Sequence, residues 1–462
     1  MSRWLSYAVL AAVIAALSQL TPTNDAAWQL WIGQQLAHGA VLYRDIVEVN
    51  PPLWFWLAVP VVEISDAFGI SGWAGLLGFF GLSAAVSIAF IQRLKPGLAT
   101  SLILIFAFFV TGISATGQRE QFTLIAVTPY VFLTAARAQR RPIPLWLAVA
   151  IGLWAALGLA LKHYFALVPL ALELWLLWRR PKALRPEFLV VCGAGVAYVA
   201  GVLLLMPDYL HSIVPIIHQS YAAYNKPLTE LLTSDVVAIS AIALLALKLV
   251  RPRSELVQAL AVAGVAFLAC YLIQLKGFRY HGLPAIGAFW IMALLAVMQL
   301  DWSSRRAKAT ALLLLAAPAI AAATTLRQSP KADEKRDQLC QVPRGSSVLV
   351  LTPYGDFAWP AVETCGLEWT SRYMFLWMLP SMDGSWDSSL ARQVHAAVVE
   401  DIARYRPDFI FIQKQSPKGD ALAFVMADPG FRSQLGHYRL IRSTIDVVEF
   451  QRIPPDREQA KG

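Results

Sequence analysis

Hydrophobic runs recur along this chain until about residue 325, each near the ~20 residues that cross a bilayer's hydrocarbon. They predict membrane spans near residues 4–20, 72–92, 98–115, 121–136, 144–161, 164–178, 187–206, 236–250, 256–274, 283–299 and 308–325. The apolar stretch at 52–69 differs. It carries Glu63 and Asp66, and it opens with Trp54, Phe55 and Trp56. It reads as a helix in the membrane interface, with its aromatics at headgroup level. Beyond 325 the pattern becomes that of a soluble domain. Ser347–Leu351 and residues 408–412 read as buried strands, 390–405 as a helix, and 438–452 as one or two strands. The expected fold class is an α-helical polytopic membrane protein with about 11 transmembrane helices and a small C-terminal α/β domain. Residues 1–325, with an outer loop at 21–71, form the membrane domain; residues 326–462 form the second, opened by a charged linker at 331–337.

Composition agrees with this division. Of 462 residues, 57% are hydrophobic and only 15% charged, which excludes an ordinary soluble domain. The net charge of +9 belongs wholly to residues 1–325, with 22 Lys and Arg against 13 Asp and Glu; residues 326–462 hold 17 of each. In a soluble protein such a charge would point to nucleic acid. Here it reads as cytoplasmic loop charge that sets orientation, and no nucleic-acid partner is expected.

The basic clusters are Arg3; Arg93 and Lys95; Arg137, Arg140 and Arg141; Arg179, Arg180, Lys182 and Arg185; Lys248, Arg251 and Arg253; Arg305, Arg306 and Lys308. Placing them inside gives a cytoplasmic N-terminus and an external C-terminal domain. It also puts all seven histidines outside or at the outer face. The first apolar run lacks a clear small-residue cleavage site and reads as a retained span rather than a signal peptide. Cys192 and Cys270 fall in spans and read as small packing residues. Cys340 and Cys365 fall in the external domain, where a disulfide is permitted and only one pairing exists.

The outer turns carry the polar chemistry. The first loop reads Asn24-Asp25-Ala26-Ala27-Trp28, then Tyr43-Arg44-Asp45-Ile46-Val47-Glu48, then Asn50-Pro51-Pro52 running into Trp54-Phe55-Trp56. Carboxylates near a bilayer cost free energy unless solvated, paired or used. Asp25 is also well placed to cap the helix that follows it. The next outer turn, Gly117-Gln118-Arg119-Glu120, is either a helix-end ion pair or an acid facing Asp25 across a cavity. Two such carboxylates hold a divalent cation or raise each other's pKa; the sequence does not choose. Lys162 sits inside an apolar hairpin, either snorkelling to the interface or placed for an anion. Lys276, Arg279 and His281 crowd a late turn against the positive-inside trend, beside Gly277, Gly282 and Pro284. The loop at 207–235 adds Asp208, Tyr209, His211, His218, Tyr221, Tyr224, Asn225 and Lys226, which either stack on sugars or anchor the interface.

The order of these segments resembles the GT-C glycosyltransferases, in the branch of the protein O-mannosyltransferases and the lipid A aminoarabinose transferase. The resemblance is strongest at residues 24–56 and extends to Gln118–Glu120 and to Lys276–Ala285, where Tyr280-His281-Gly282-Leu283-Pro284-Ala285 carries it. One departure is that many relatives carry an Asp-Glu pair where this chain has Asn24-Asp25. The resemblance implies transfer of a sugar from a polyprenyl-phosphate donor to a glycan, lipid or protein acceptor. The reaction would occur on the outer face of a bacterial inner membrane, among membrane lipids. It implies Asp25 as the general base and Asp45, Glu48 and Glu120 as contacts to the acceptor or a cation. Lys162, Lys276, Arg279, Tyr280 and His281 would bind the donor phosphate. The rival reading is a transporter or flippase of a lipid-linked saccharide, though no internal repeat is seen. The C-terminal domain lacks a phosphate-cradling glycine motif, and Asp356 and His395 do not by themselves make a catalytic pair. Acceptor recognition or a structural cap is its expected role.

Overall fold

The computed structural model describes residues 2–180, 185–250, 254–300, 305, 308–312, 315, 334–382, 384 and 386–454. Lys182, Arg251, Arg253 and Arg306, most of the span expected at 308–325 and the start of the linker at 331–337 lie outside them. Two compact units emerge. The first joins Met1–Ala26, Leu53–Leu205 and Asn225–Ser329; the second joins Ala27–Pro52, Met206–Tyr224 and Pro330–Gly462.

The helices run α1 Ser2–Leu17, α2 Asn24–Ala37, α3 Leu53–Ala67, α4 Gly72–Leu94, α5 Leu98–Phe109, α6 Arg119–Ala138, α7 Leu145–Leu159, α8 Leu167–Arg179, α9 Pro186–Leu205, α10 Val214–Ser220, α11 Leu228–Leu232, α12 Asp235–Val250, α13 Glu255–Ile273 and α14 Leu283–Val297. Every span expected before residue 300 falls on a helix, and α3 fills most of the stretch at 52–69. Among the described residues, four helical segments are long and apolar enough to cross a membrane: Gly72–Leu94, Pro186–Leu205, Glu255–Ile273 and Arg279–Val297. On α9 the apolar side chains of Val196, Val199, Leu203 and Leu204 are exposed. So continuous an apolar face needs lipid or protein against it.

Helix α6 is the centre of the first unit. Every residue from Arg119 to Ala136 is buried, against α4, α7, α8, α13 and α14. Pro129 lies inside it and has no N–H to give the carbonyl four residues back. That carbonyl, on Ile125, accepts from Ser87 Oγ at 2.7 Å, and Trp154 Nε1 donates to the same Ser87 Oγ at 2.9 Å. A neighbouring hydroxyl thus satisfies the freed backbone group, as an apolar surrounding demands. Gly158 at the end of α7 lets the helices close: a Cβ there would lie 3.0 Å from Ala126 Cβ, and its carbonyl accepts from Thr123 Oγ1 at 3.0 Å.

Around the C-terminal end of α6 the basic clusters meet acids on other helices. Arg137 donates to both oxygens of Glu187 on α9, at 2.9 and 3.1 Å. Arg185 meets Glu173 at 2.5 Å, and Arg179 meets Glu255 on α13 at 3.5 Å. Arg180 donates to the carbonyl of Ala138 at 3.0 and 3.2 Å. Arg137 and Arg179 end α6 and α8 while Glu187 and Glu255 begin α9 and α13, the placement helix dipoles favour.

The second unit is built on a five-stranded sheet of order β2-β1-β3-β7-β6. Its strands are β1 Ser347–Leu351, β2 Glu368–Trp369, β3 Phe409–Gln413, β6 Tyr438–Ser443 and β7 Val447–Arg452; β4 Gln415–Ser416 and β5 Gly419–Asp420 form a separate small hairpin. β1 pairs in parallel with β2 and β3, while β7 runs antiparallel to β3 and β6. Helix Ser389–Tyr405 precedes β3, starting at a Ser388 cap. The expected strands and helix all appear. Cys340 and Cys365 form a disulfide, with Cα atoms 5.3 Å apart. Cys270 is buried as expected, but Cys192 is exposed on α9 and does not fill the unit's interior.

Candidate active site

At the N-terminal end of α6 a polar cluster assembles from helix ends and turns of the first unit. Gly117, with φ +90°, reverses the chain just before α6. A Cβ there would lie 2.9 Å from Ala26 Cβ and 3.1 Å from the Trp73 ring. Glycine is therefore what lets the start of α2 press against this turn. The contact brings Gln118 Nε2 to 2.9 Å from Asp25 Oδ2, as donor to acceptor. Asp25 is not the cap of α2. Thr23 takes that role, its Oγ1 accepting from Ala26 N at 3.2 Å. Asp25 is half-buried. Burial raises its pKa above the usual 3.8, opposed first by the Gln118 hydrogen bond, then by Arg119 and Lys162.

Glu120 is fully buried, with Lys162 Nζ 2.7 Å from Oε1, Arg119 Nε 3.8 Å from Oε2 and His281 Nε2 3.9 Å from Oε1. The Arg119–Glu120 pair expected from sequence is present, but Lys162 is the nearer partner. Lys162 also donates to Gln274 Oε1 at 2.8 Å, and Gln274 Nε2 donates to the Cys270 carbonyl at 2.8 Å, fixing that amide. Burial lowers the Lys162 pKa to about 8 against the attraction of Glu120.

The late turn supplies the other side. Leu275 and Gly277 adopt left-handed backbone, and Lys226 N donates to the Leu275 carbonyl at 2.6 Å. Lys276 Nζ donates to Asn225 Oδ1 at 2.7 Å; burial lowers its pKa to about 8. Arg279 is held by Asp235 at the start of α12, 2.6 Å away. The Tyr280 ring stacks on Phe278, centroids 5.7 Å apart, and meets the buried His281 edge-on at 4.5 Å.

Asp25, Glu120, Lys162 and His281 thus gather with Arg119 in one unit, and Lys276 lies within electrostatic reach of His281. Asp45 and Glu48 belong to the second unit, where both shape the loop. Asp45 Oδ2 accepts from Val41 N at 2.8 Å, and Glu48 accepts from Trp28 Nε1, Asn50 N and Asn50 Nδ2 at 2.9, 3.0 and 2.6 Å. Much of the loop at 207–224 is likewise engaged: Arg44 meets Asp208, and Tyr224 Oη donates to the Trp377 carbonyl. Sequence reasoning named Gln118 and Asn225 but gave no role to these amides, and it gave none to Gln274. Their signal was only that each stands at a turn beside a charged residue already singled out. A divalent cation does not fit at Glu120, whose two oxygens already face an ammonium, a guanidinium and an imidazole. Among the described residues, no group of three or more His, Cys, Asp or Glu side chains gathers to hold a metal.

No protein-family model matches the chain, and no curated protein matches it by sequence. Among solved structures, it is similar to the crystal structure of ArnT from Cupriavidus metallidurans bound to undecaprenyl phosphate. The similarity covers 98% of each chain, with 13% identity and a TM-score of 0.57. The fold is that of ArnT. It agrees with the GT-C resemblance read from residues 24–56, and the whole chain shares the ArnT-like architecture rather than the membrane half alone. The arabinofuranosyltransferase AftD from Mycobacteria is also similar, at 15% identity and a TM-score of 0.47, over 99% of this chain and 40% of that one.

Proposed function

We propose that this chain is a membrane glycosyltransferase that takes a hexosyl or pentosyl unit from a polyprenyl-phosphate carrier to a hydroxyl of an envelope glycan, lipid or protein. The observation that carries the reading is a half-buried carboxylate, Asp25, fixed by an amide beside buried Arg119 and Lys162. A base and an anion site stand together on the fold of a protein that binds undecaprenyl phosphate.

In the proposed reaction Asp25 takes the proton of the acceptor hydroxyl as its oxygen attacks the anomeric carbon. The bond from that carbon to the phosphate oxygen breaks, and polyprenyl phosphate leaves with the electron pair. Single displacement inverts the anomeric centre. Lys162, Lys276 and Arg119 balance the charge that grows on the phosphate. Glu120 keeps Lys162 in place and tempers its charge, and Tyr280 and His281 wall the donor site. Arg279, tied to Asp235, holds the late turn in register and meets the phosphate from its rim. Asp45 and Glu48 contribute by shaping their own loop.

About 11 spans, a cytoplasmic N-terminus and a periplasmic domain at 326–462 complete the proposal, with a bacterial inner membrane as the location. The test is incubation of the purified protein with undecaprenyl-phosphate-linked sugars and an envelope extract. Release of undecaprenyl phosphate with a new glycosidic product is expected. Movement of intact donor between leaflets, with no new glycosidic bond, would instead establish the flippase reading.

A further inference from the structure

The sheet of the second unit has a topological switch point that the proposed reaction leaves unused. From β1 the chain crosses to β2 on one side; from β3, reached from β2 through helix Ser389–Tyr405, it crosses through helices Ala421–Ala427 and Pro429–Leu435 to the parallel strand β6 on the other side. Right-handed crossovers in opposite directions lie on opposite faces of a sheet. The segments leaving β1 and β3 therefore part, and a crevice opens at the carboxyl ends of these two strands, where open α/β sheets bind ligands.

A cleft of about 280 Å³ lies there. It sits at the small end of ligand pockets, a size for one or two sugar rings. Tyr354, Asp356 and Phe357 line it after β1, Gln413 and Gln415 at the end of β3 and beyond, and Asp446 in the turn before β7. Gln413 is buried, and its Oε1 accepts from Thr352 Oγ1 at 2.6 Å, which orients the amide and leaves its Nε2 as a donor. Asp356 and Asp446 are exposed, and neither carboxylate has a side-chain partner among the described residues. Lys418 Nζ lies 4.5 Å from the Tyr354 ring centre and steadies that ring.

Acceptor carboxylates, amides and an aromatic ring around a small cleft match a ligand with many hydroxyl donors and an apolar ring face. Two carboxylates repel a phosphate. They also fall short of the six to eight oxygens that calcium requires. We infer that this cleft is a saccharide-binding subsite of the C-terminal unit, recognising a glycosyl residue through Asp356, Asp446 and the Gln413 amide. The inference concerns binding and stands whether or not the first unit performs transfer.

The test is saturation-transfer NMR on the full chain in detergent. The probes are methyl glycosides of a hexopyranose, a pentopyranose and an N-acetylhexosamine. At least one should bind. Asp356→Ala combined with Asp446→Ala should weaken it about tenfold or more, since each lost bond involves a charged acceptor. Both positions are exposed, so the fold should survive, and Thr352→Val offers a second variant that unseats the Gln413 amide and the Tyr354 backbone N–H, which also bonds Thr352 Oγ1. Asp25→Asn should leave this binding unchanged, separating it from the transfer site. Binding by none of the probes, or binding indifferent to the double substitution, would overturn the inference. So would a site that calcium chloride or inorganic phosphate occupies in place of the glycosides.

Discussion

The two ends of α6 hold charge in different ways. At the C-terminal end, arginines close on carboxylates or carbonyls: Arg137 on Glu187, Arg185 on Glu173, Arg179 on Glu255, Arg180 on Ala138. At the N-terminal end, lysines bond to amide oxygens, Lys162 to Gln274 as well as to the Glu120 carboxylate and Lys276 to Asn225, and the acid Asp25 is held by the amide of Gln118. A guanidinium forked onto a carboxylate spends its charge internally and fastens helices. An ammonium held by a neutral amide is positioned by a hydrogen bond rather than forked onto a carboxylate. On the proposed function, the first end serves cohesion and the second chemistry.

Removing charge at the amide-held end should therefore damage function first. Lys276→Gln should weaken binding of undecaprenyl phosphate about ten- to hundredfold, the worth of a charge-assisted hydrogen bond, with little change in melting temperature. A binding assay with the isolated lipid measures it; unchanged affinity would remove Lys276 from the site. At the closed end the opposite should hold. Glu187→Ala strands the partly buried Arg137 and should cost about 3 kcal/mol of stability. It should lower the melting midpoint while leaving transfer per folded molecule near that of the parent. A drop in turnover without a drop in stability would blur the contrast between the ends.

The pH profile offers a finer test. Asp25 must be ionised to accept a proton, so transfer should rise with pH through a pKa above the usual 3.8. Lys162 and Lys276 must be protonated to hold an anion, and burial lowers both to about 8. Donor affinity should thus be full below that value and fall as pH passes it. A rate that keeps rising beyond pH 9 would show that neither lysine carries the phosphate.

Much of this was legible in the sequence because membrane helices announce themselves by length and apolarity, and because Lys162 and Lys276 break an otherwise apolar or positive-inside pattern. The strands at 347–351 and 409–413 were equally plain as short β-rich runs. What stayed hidden depends on contacts between distant segments. Gln118 had no role of its own in the sequence until Gly117 brought Ala26 against the turn. Asp25 read as a fair helix cap, yet Thr23, two residues earlier, does the capping. Asp45 and Glu48 stood out as charged loop residues, but their bonds to Val41, Trp28 and Asn50 are local scaffolding that charge alone does not reveal.

The central claim is that Asp25 is a base and not a structural acid. Asp25→Asn keeps an oxygen for the Gln118 donor and removes the capacity to take a proton, while Thr23 still caps α2. Single-turnover transfer from an undecaprenyl-phosphate-linked sugar, measured beside a melting control, should fall ~10²- to 10⁴-fold with the protein still folded and donor binding retained. Near-parental transfer by a well-folded Asp25→Asn protein would contradict the account.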